Sequence, residues 1–252
     1  MNRRAFVAMA AFALAGCREP APATREVTIA TAASLRAVLP ELARVYQTAH
    51  PGVQIATTFG SSGDLQKQVE GGAPVDAVIF VSAKPVDALV AKGRAEQPSR
   101  RVIATNQLVL IGPKGGQPIT FATLDALAPG EMVAVGDPGA VPAGQYARDY
   151  LTSLGKWGAL TGKLVLGGDV AAVLAYARRG EVRAAIVYRT ETRGIADVVV
   201  LDEAKGPGAP RPEVVAAVVS GARAAGEAGA FLAFVASPEG QKILADFGFG
   251  PP

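Results

Sequence analysis

Residues 57–68 carry the sequence TTFGSSGDLQKQ, which joins a predicted strand to a predicted helix. The alternating apolar pattern that begins at Val53 and runs into this segment is typical of a strand. The residues from Leu65 onward are typical of the first turns of a helix. Ser61 and Ser62 lie at the turn, with a glycine on either side of the pair. The segment therefore places two hydroxyl groups at the junction between a strand and a helix.

This junction has two interpretations. The first N–H groups of a helix lack partners within the helix, and the helix dipole makes that end mildly positive, so a serine-rich junction can bind an anion. Serine is also a favoured N-cap, so the same residues are typical of an ordinary helix start. The segment alone leaves both interpretations open. The question is then whether a second junction of the same kind faces it.

A second junction lies at residues 31–35, TAASL, after a predicted strand at 26–31. Apolar residues at helical spacing predict a helix from position 35 onward, with Ser34 in the N-cap position. Pro40 lies too far inside that helix for its first turn, so it should kink the helix or delay its start.

Two further junctions have the same form. Pro142 is suited to the first position of a helix, where its missing N–H would be unpaired in any case. The amides of Ala143 and Gly144 are then a third candidate for anion contact, although the segment alone is equally typical of a structural helix start. Asp169 precedes a predicted helix at 170–179 and is interpreted as its N-cap.

The predicted fold class is α/β. Strands and helices alternate along the chain, which predicts a parallel or mostly parallel sheet with helices on both faces. Ligands of such sheets bind beyond the carboxyl ends of the strands. Each junction described above lies at such an end.

The N-terminus has the features of an export signal. Residues 1–16 combine a basic start with a short apolar segment, and they predict a cleaved signal peptide. The sequence LAGC, which ends at Cys17, resembles a bacterial lipoprotein signal, in which the cysteine carries the lipid. Arg3 and Arg4 resemble a twin-arginine signal as well. Residues 17–25 are predicted to be a tether.

Composition excludes several classes of function. Without residues 1–16 the charges are 23 basic and 22 acidic, and no block of Lys and Arg remains to indicate nucleic-acid binding. His50 is the single histidine and Cys17 the single cysteine. Ser–His and Cys–His nucleophile pairs, disulfides and histidine-ligated metal sites are therefore not predicted.

Several short motifs occur in one order along the chain, and together they resemble the sequence of the periplasmic molybdate-binding proteins of ABC importers. The resemblance covers about residues 27–249, and the order and spacing of the motifs carry it. The motifs are TAASL (31–35), GSSG (60–63), LQKQ (65–68), GAPVD (72–76), NQL (106–108), GDP (136–138), VPAGQY (141–146), VY (187–188) and DFGF (246–249).

The resemblance implies a periplasmic-binding-protein-like fold of two α/β lobes, joined by a two-segment hinge, with the ligand in the cleft. It implies lobe 1 at 26–105 and 213–252, and lobe 2 at 106–212. The anion would be bound without a cofactor or a catalytic residue. The residues implied to bind it are Ser34 and Ser62 through hydroxyls and amides, Ala143 and Val170 through amides, and Tyr188 through its phenol.

The chain departs from the family pattern at two places. Arg189-Thr190-Glu191 follows the tyrosine where the family usually has Ser-Asp-Ala, and GGD precedes Val170. Arg189 either brings positive charge to the mouth of the cleft or points to solvent.

The implied function is an extracytoplasmic substrate-binding protein, not an enzyme, that delivers molybdate or tungstate to a membrane permease and its ATPase. It would be a monomer in the periplasm or on the outer face of the cell envelope, anchored by a lipid on Cys17. Three alternatives stay open at this point: the same fold binding sulfate, phosphate, thiosulfate or an organic acid, a serine hydrolase using Ser34 or Ser62, and a structural lipoprotein without a ligand.

Overall fold

The computed structural model describes residues 25–252. The predicted signal peptide, Cys17 and all but the last residue of the predicted tether lie outside these residues. That last residue, Arg25, already belongs to the first strand, because its N–H donates to the carbonyl of Gly52 at 2.9 Å. In the described part of the chain, no helix is long and apolar enough to span a membrane.

Strands and helices alternate, as the sequence predicted. The strands are β1 (Arg25–Ala32), β2 (Val53–Gly60), β3 (Ala77–Val81), β4 (Arg101–Thr105), β5 (Leu108–Pro113), β6 (Val133–Gly136), β7 (Leu164–Gly167), β8 (Ala184–Tyr188), β9 (Val198–Glu203) and β10 (Glu213–Val218). The helices are α1 (Leu39–Ala49), α2 (Ser62–Glu70), α3 (Ala83–Ala91), α4 (Pro142–Ser153), α5 (Trp157–Leu160), α6 (Val170–Arg178), α7 (Ala225–Ala236) and α8 (Pro238–Asp246).

The strands form two five-stranded sheets, in the orders β2-β1-β3-β10-β4 and β7-β6-β8-β5-β9. Each sheet is mostly parallel, with one antiparallel strand: β10 in the first sheet and β5 in the second. These two strands are also the ones at which the chain enters a new sheet, from β4 to β5 and from β9 to β10. We therefore propose the lobe boundaries 26–105 with 213–252, and 106–212.

Both sheets are covered by helices and buried at their centres. All five residues of β3 and all five of β8 are buried, as expected for central strands with helices on both faces. In the first sheet an aromatic cluster joins α1 to α7, where the ring of Tyr46 lies 5.3 Å from that of Phe231.

One local prediction was wrong. Ser34 does not cap a helix: it lies inside a short 3-10 turn, Ala33–Leu35, and no side chain caps that turn. Helix α1 begins only at Leu39, because Pro40 fits the first turn of a helix and not its interior. Pro40 therefore delays the helix, which was one of the two predicted outcomes.

Candidate functional site

The five residues implied by the resemblance lie around one cavity. Ser34 and Ser62 follow β1 and β2 of the first sheet, and Ala143, Val170 and Tyr188 lie at the ends of β6, β7 and β8 of the second. All five line a cavity of about 20 Å³ between the two sheets. That volume exceeds what one buried water needs, so the cavity has room for a small guest. Its other lining residues are Ala32, Ala33, Gly60, Ser61, Val81, Val141, Pro142 and Asp169.

The cavity is distinguished by hydroxyl groups without partners. Among the described residues, four buried side-chain oxygens have no hydrogen-bond partner, and they belong to Thr31, Ser34, Ser62 and Tyr188. Buried polar atoms in proteins are nearly always hydrogen-bonded, so each such atom requires an explanation. Three of the four belong to residues that line the cavity. A hydrogen-bond acceptor in the cavity would satisfy them.

The two serines at the start of α2 have separate roles. Ser61 is the N-cap: its hydroxyl oxygen accepts the N–H of Asp64 at 3.1 Å, and its hydroxyl donates to the Asp64 carboxylate at 2.8 Å. Ser62 is the first residue of the helix, and its hydroxyl is buried beside the cavity. Because Ser61 caps the helix, the hydroxyl of Ser62 is free for a guest. The N-cap interpretation of the GSSG segment is therefore confirmed for Ser61, and the anion-binding interpretation stays a prediction for Ser62.

Helix α4 directs its first amide toward the cavity. Pro142 begins the helix and has no N–H, so the N–H of Ala143 is the first of the helix and has no partner within it. Gly144 packs against Gly136 at the end of β6 so closely that a Cβ at position 144 would lie 1.9 Å from the Gly136 carbonyl oxygen. This contact between backbones brings the start of the helix to the end of the strand.

Helix α6 begins at the cavity in a different way. Asp169 is its N-cap, as predicted, and its carboxylate accepts the N–H of Ala172 at 2.8 Å. The negative charge of Asp169 is thereby held at the positive end of the helix. The N–H of Val170, the first of the helix, has no partner within it.

The donors around the cavity are uncharged. None of the lining residues in the described chain is Lys, Arg or His. Burial raises the pKa of the Tyr188 phenol well above its usual value, so the phenol keeps its proton and acts as a donor. Arg189 does not line the cavity: its guanidinium pairs with Glu203 and donates to the side chain of Gln107 at 2.9 Å.

The two sheets touch directly beside the cavity. The N–H of Gly63, in α2, donates to the carbonyl of Ala140, in the loop before α4, at 3.2 Å. The described structure is therefore a closed arrangement in which both halves contribute to one site.

Comparison with known proteins gives the family. Residues 27–250 match the model of a family described as bacterial extracellular solute-binding protein. The chain belongs to this family. Among curated relatives, this solute-binding protein is 33% identical over 249 residues to a putative ABC transporter substrate-binding lipoprotein of Bacillus subtilis. The alignment covers 96% of this chain and 95% of the relative. It is also 33% identical over 230 residues to the molybdate-binding protein of Escherichia coli, covering 89% of this chain and 88% of the relative.

Solved structures show the same fold. The periplasmic molybdate-binding protein of Azotobacter vinelandii superposes with a TM-score of 0.82 at 21% identity, covering 90% of this chain and 99% of that one. A sulfate-binding protein of Mycobacterium tuberculosis superposes with a TM-score of 0.76 at 20% identity, covering 90% and 87%. The predicted fold, two α/β lobes of the periplasmic binding protein type, is confirmed.

The alternative of a serine hydrolase is not supported. The family consists of solute-binding proteins, not enzymes. His50, the one histidine of the chain, stacks on Tyr46 at the end of α1 and does not line the cavity. Ser34 and Ser62 also lack any side-chain partner that would act as a general base. In the described residues there is also no group of three or more His, Cys, Asp or Glu that would hold a metal ion.

Glu191 gives this solute-binding protein a pH-dependent stability. Burial, and secondarily the charge of Asp169, raise the pKa of Glu191 to about 8, and the charge of Arg36 opposes this shift. The unfolded chain releases this proton near pH 4.5, whereas the folded chain retains it to about pH 8. Between these values the folded state binds more protons, so the contribution of this group to stability is lost as the pH rises.

We expect Glu191→Gln to remove this dependence. At pH 8.5 the variant should be more stable than the wild type by about 1–2 kcal/mol, or a few degrees in Tm, after allowance for the partial exposure of the side chain. At pH 5 the two should be nearly equal. Thermal melts between pH 5 and 9 measure this difference, and parallel curves for the two proteins would contradict it.

Sequence reasoning missed two residues of this region. It assigned no role to Thr31, because an alternating strand pattern directs attention to its apolar members. It also gave no role to Gly63 beyond flanking the serines, because the contact with Ala140 joins positions far apart in the chain.

Proposed function

We propose that this protein is the substrate-binding component of an ABC importer and binds molybdate or tungstate. The observation that carries the proposal is the set of buried, unpartnered hydroxyls of Ser34, Ser62 and Tyr188 around one small cavity. A tetrahedral oxyanion presents four acceptor oxygens and no apolar surface, so it fits hydroxyl and amide donors that converge from both sides. The molybdate-binding relatives support this choice of ligand.

Uncharged donors alone can supply the binding free energy that such a site needs, without a Lys, Arg or metal cation. A dianion is expensive to remove from water, but donors that are already aimed at it compensate this loss. A hydrogen bond to a charged group contributes about 1.5–3 kcal/mol. The three hydroxyls and the amides of Ala143 and Val170 together suffice for the roughly 8–12 kcal/mol of micromolar to nanomolar binding.

The site should distinguish molybdate from sulfate by the size of the anion, and from phosphate because no free hydrogen-bond acceptor faces the cavity. Sulfate is smaller than molybdate, so donors spaced for molybdate would not all reach it. Phosphate carries a proton at neutral pH and needs an acceptor. Asp169 is the one carboxylate residue that lines the cavity, and it already accepts the N–H of Ala172.

The proposed route of the ligand follows from burial. The hydroxyl oxygens of the site have no contact with solvent, so the anion reaches them only when the two lobes separate. We propose that closure of the lobes completes the donor set, and that the closed form docks on the permease. We also propose export by the signal at 1–16, lipid attachment at Cys17 and a monomeric state.

The test is a panel of molybdate, tungstate, sulfate, phosphate and thiosulfate against residues 18–252, by thermal shift and calorimetry. A ligand at 100 times its Kd stabilises the folded state by about 2.7 kcal/mol, which is about 5–11 °C for a chain of this size. Molybdate and tungstate should give this shift. Equal binding of sulfate or phosphate would contradict the assigned ligand, and no response to any oxyanion would favour the structural lipoprotein.

The adjacent serines provide a matched pair of variants. Ser62→Ala should weaken molybdate binding about 10- to 100-fold and leave the stability of the unliganded protein unchanged or higher, because it removes an unpartnered buried hydroxyl. Ser61→Ala should lower stability by about 1 kcal/mol through loss of the N-cap, with affinity retained within about threefold. The reverse pattern would show that the roles of the two serines have been exchanged.

A further inference from the structure

Thr31 is a buried polar residue that the five-residue site does not use. Its side chain is completely buried, and its Oγ1 is one of the four buried oxygens without a hydrogen-bond partner in the described chain. The other three belong to the proposed oxyanion site. An unpartnered buried hydroxyl destabilises a protein, and a valine at this position would fill the same space without that penalty.

The position of Thr31 connects it to the cavity. It lies in β1, which has β2 on one side and β3 on the other. The next residue, Ala32, lines the cavity. In the sheet Thr31 pairs with Phe59 of β2 and Ile79 of β3, which come one and two residues before the cavity-lining Gly60 and Val81. Thr31 therefore lies in the last layer of the sheet beneath the cavity.

No other group in this part of the sheet explains the hydroxyl. The strand neighbours of Thr31, Phe59 and Ile79, have apolar side chains that offer no acceptor, and Val27 and Ile29 of β1 are buried apolar residues. The nearest polar side chains along the chain are Thr28 and Ser34, each three residues away, and the hydroxyl of Ser34 is itself unpartnered. Thr31 thus shares with Ser34, a residue that lines the cavity, a buried hydroxyl that has no partner among the described residues.

We propose that Thr31 is a sixth donor of the oxyanion site, whose hydroxyl donates a hydrogen bond toward the bound anion from beneath the cavity. This inference rests on the proposed function. It predicts that the hydroxyl opposes stability while the site is empty and contributes to affinity when the site is filled. A hydroxyl held by a permanent buried water would have neither property.

The test compares Thr31→Val, Thr31→Ser and Thr28→Val with the wild type, by calorimetry with molybdate and by thermal melts without ligand. Thr31→Val should bind about tenfold more weakly, because it loses a donor to a charged group, and should melt at the same or a higher temperature when unliganded. Thr31→Ser keeps the hydroxyl and should bind within about threefold of the wild type. Thr28→Val is the control, since Thr28 lies on the same strand three residues farther from the cavity, and its hydroxyl is not among the buried oxygens without a partner; it should leave affinity unchanged.

The outcomes separate the inference from the proposed function. Wild-type affinity in Thr31→Val, with or without a lower melting temperature, would overturn the role of Thr31 while leaving molybdate binding intact. If Thr31→Val does not fold, Thr31→Ala gives the same comparison against Thr31→Ser. Failure of the wild type to bind any oxyanion would instead overturn the proposed function, independently of Thr31.

Discussion

Replacing Gly63 with alanine should reduce the affinity for the oxyanion about 100-fold without destabilising the unliganded protein. The N–H of Gly63 donates to the Ala140 carbonyl of the opposite lobe, and a Cβ at position 63 would lie 2.6 Å from that oxygen. The three heavy atoms nearest to this Cβ all belong to Ala140. The obstruction therefore exists only when the lobes are closed.

The size of the effect follows from the geometry of closure. A Cβ that meets a backbone oxygen holds the lobes apart beside Ser62, and the donors of one lobe then miss the anion held by the other. Loss of one or two hydrogen bonds to a charged group, at about 1.5–3 kcal/mol each, corresponds to at least a 10- to 100-fold change in Kd. Alanine is also the better helix former, so α2 itself should gain about 0.5–1 kcal/mol in the open state.

Gly226→Ala is the matched control for this experiment. Gly226 is the second residue of α7, as Gly63 is of α2, and a Cβ there meets nothing within 4 Å. Its affinity should equal that of the wild type. Calorimetry gives the Kd, and small-angle scattering with and without molybdate shows whether the protein contracts. Wild-type affinity and contraction in Gly63→Ala would show that the contact does not limit closure.

The sequence predicted which residues line the cavity better than it predicted the local structure around them. Alternation of strands and helices, with small or hydroxyl residues at strand ends, located the junctions at Ser34, Ser62 and Ala143 from physical reasoning alone. Val170 and Tyr188 came from the family resemblance, because an apolar helix start and an aromatic strand end occur in many proteins without a ligand. Thr31 was missed because nothing in a strand pattern shows whether a hydroxyl will find a partner.

Three features of the structure have physical causes that sequence patterns do not contain. Ser34 as an N-cap predicts a helix that starts at position 35, whereas Pro40 favours a start immediately before it. The helix begins at Leu39, because the proline ring fits only the first turn. The antiparallel direction of β5 and β10 was not predicted, because an apolar run is the same in either direction. The ion pair of Arg189 with Glu203, on the strand before the second crossing, was not predicted, because a sequence pattern does not show which charged side chains of different elements meet.

Gly144→Ala should destabilise the protein itself, in contrast to Gly63→Ala. A Cβ at position 144 would lie 1.9 Å from the carbonyl oxygen of Gly136 and 2.4 Å from its carbonyl carbon, both within the same lobe and both backbone atoms. No side-chain rotation relieves this overlap, so α4 must move away from β6. Overpacking of this kind costs about 3 kcal/mol, or about 6–12 °C in Tm for a chain of this size.

The same displacement should affect binding, because the helix start carries the amide of Ala143. Urea unfolding measures the stability loss, and calorimetry below the melting temperature measures Kd. Gly229→Ala in α7 is the control, since its Cβ would lie 3.9 Å from the nearest side-chain atom, an ordinary contact. Undiminished stability in Gly144→Ala would show that the helix and strand can separate freely. The start of α4 would then be set by the bound anion and not by the contact between the two glycines.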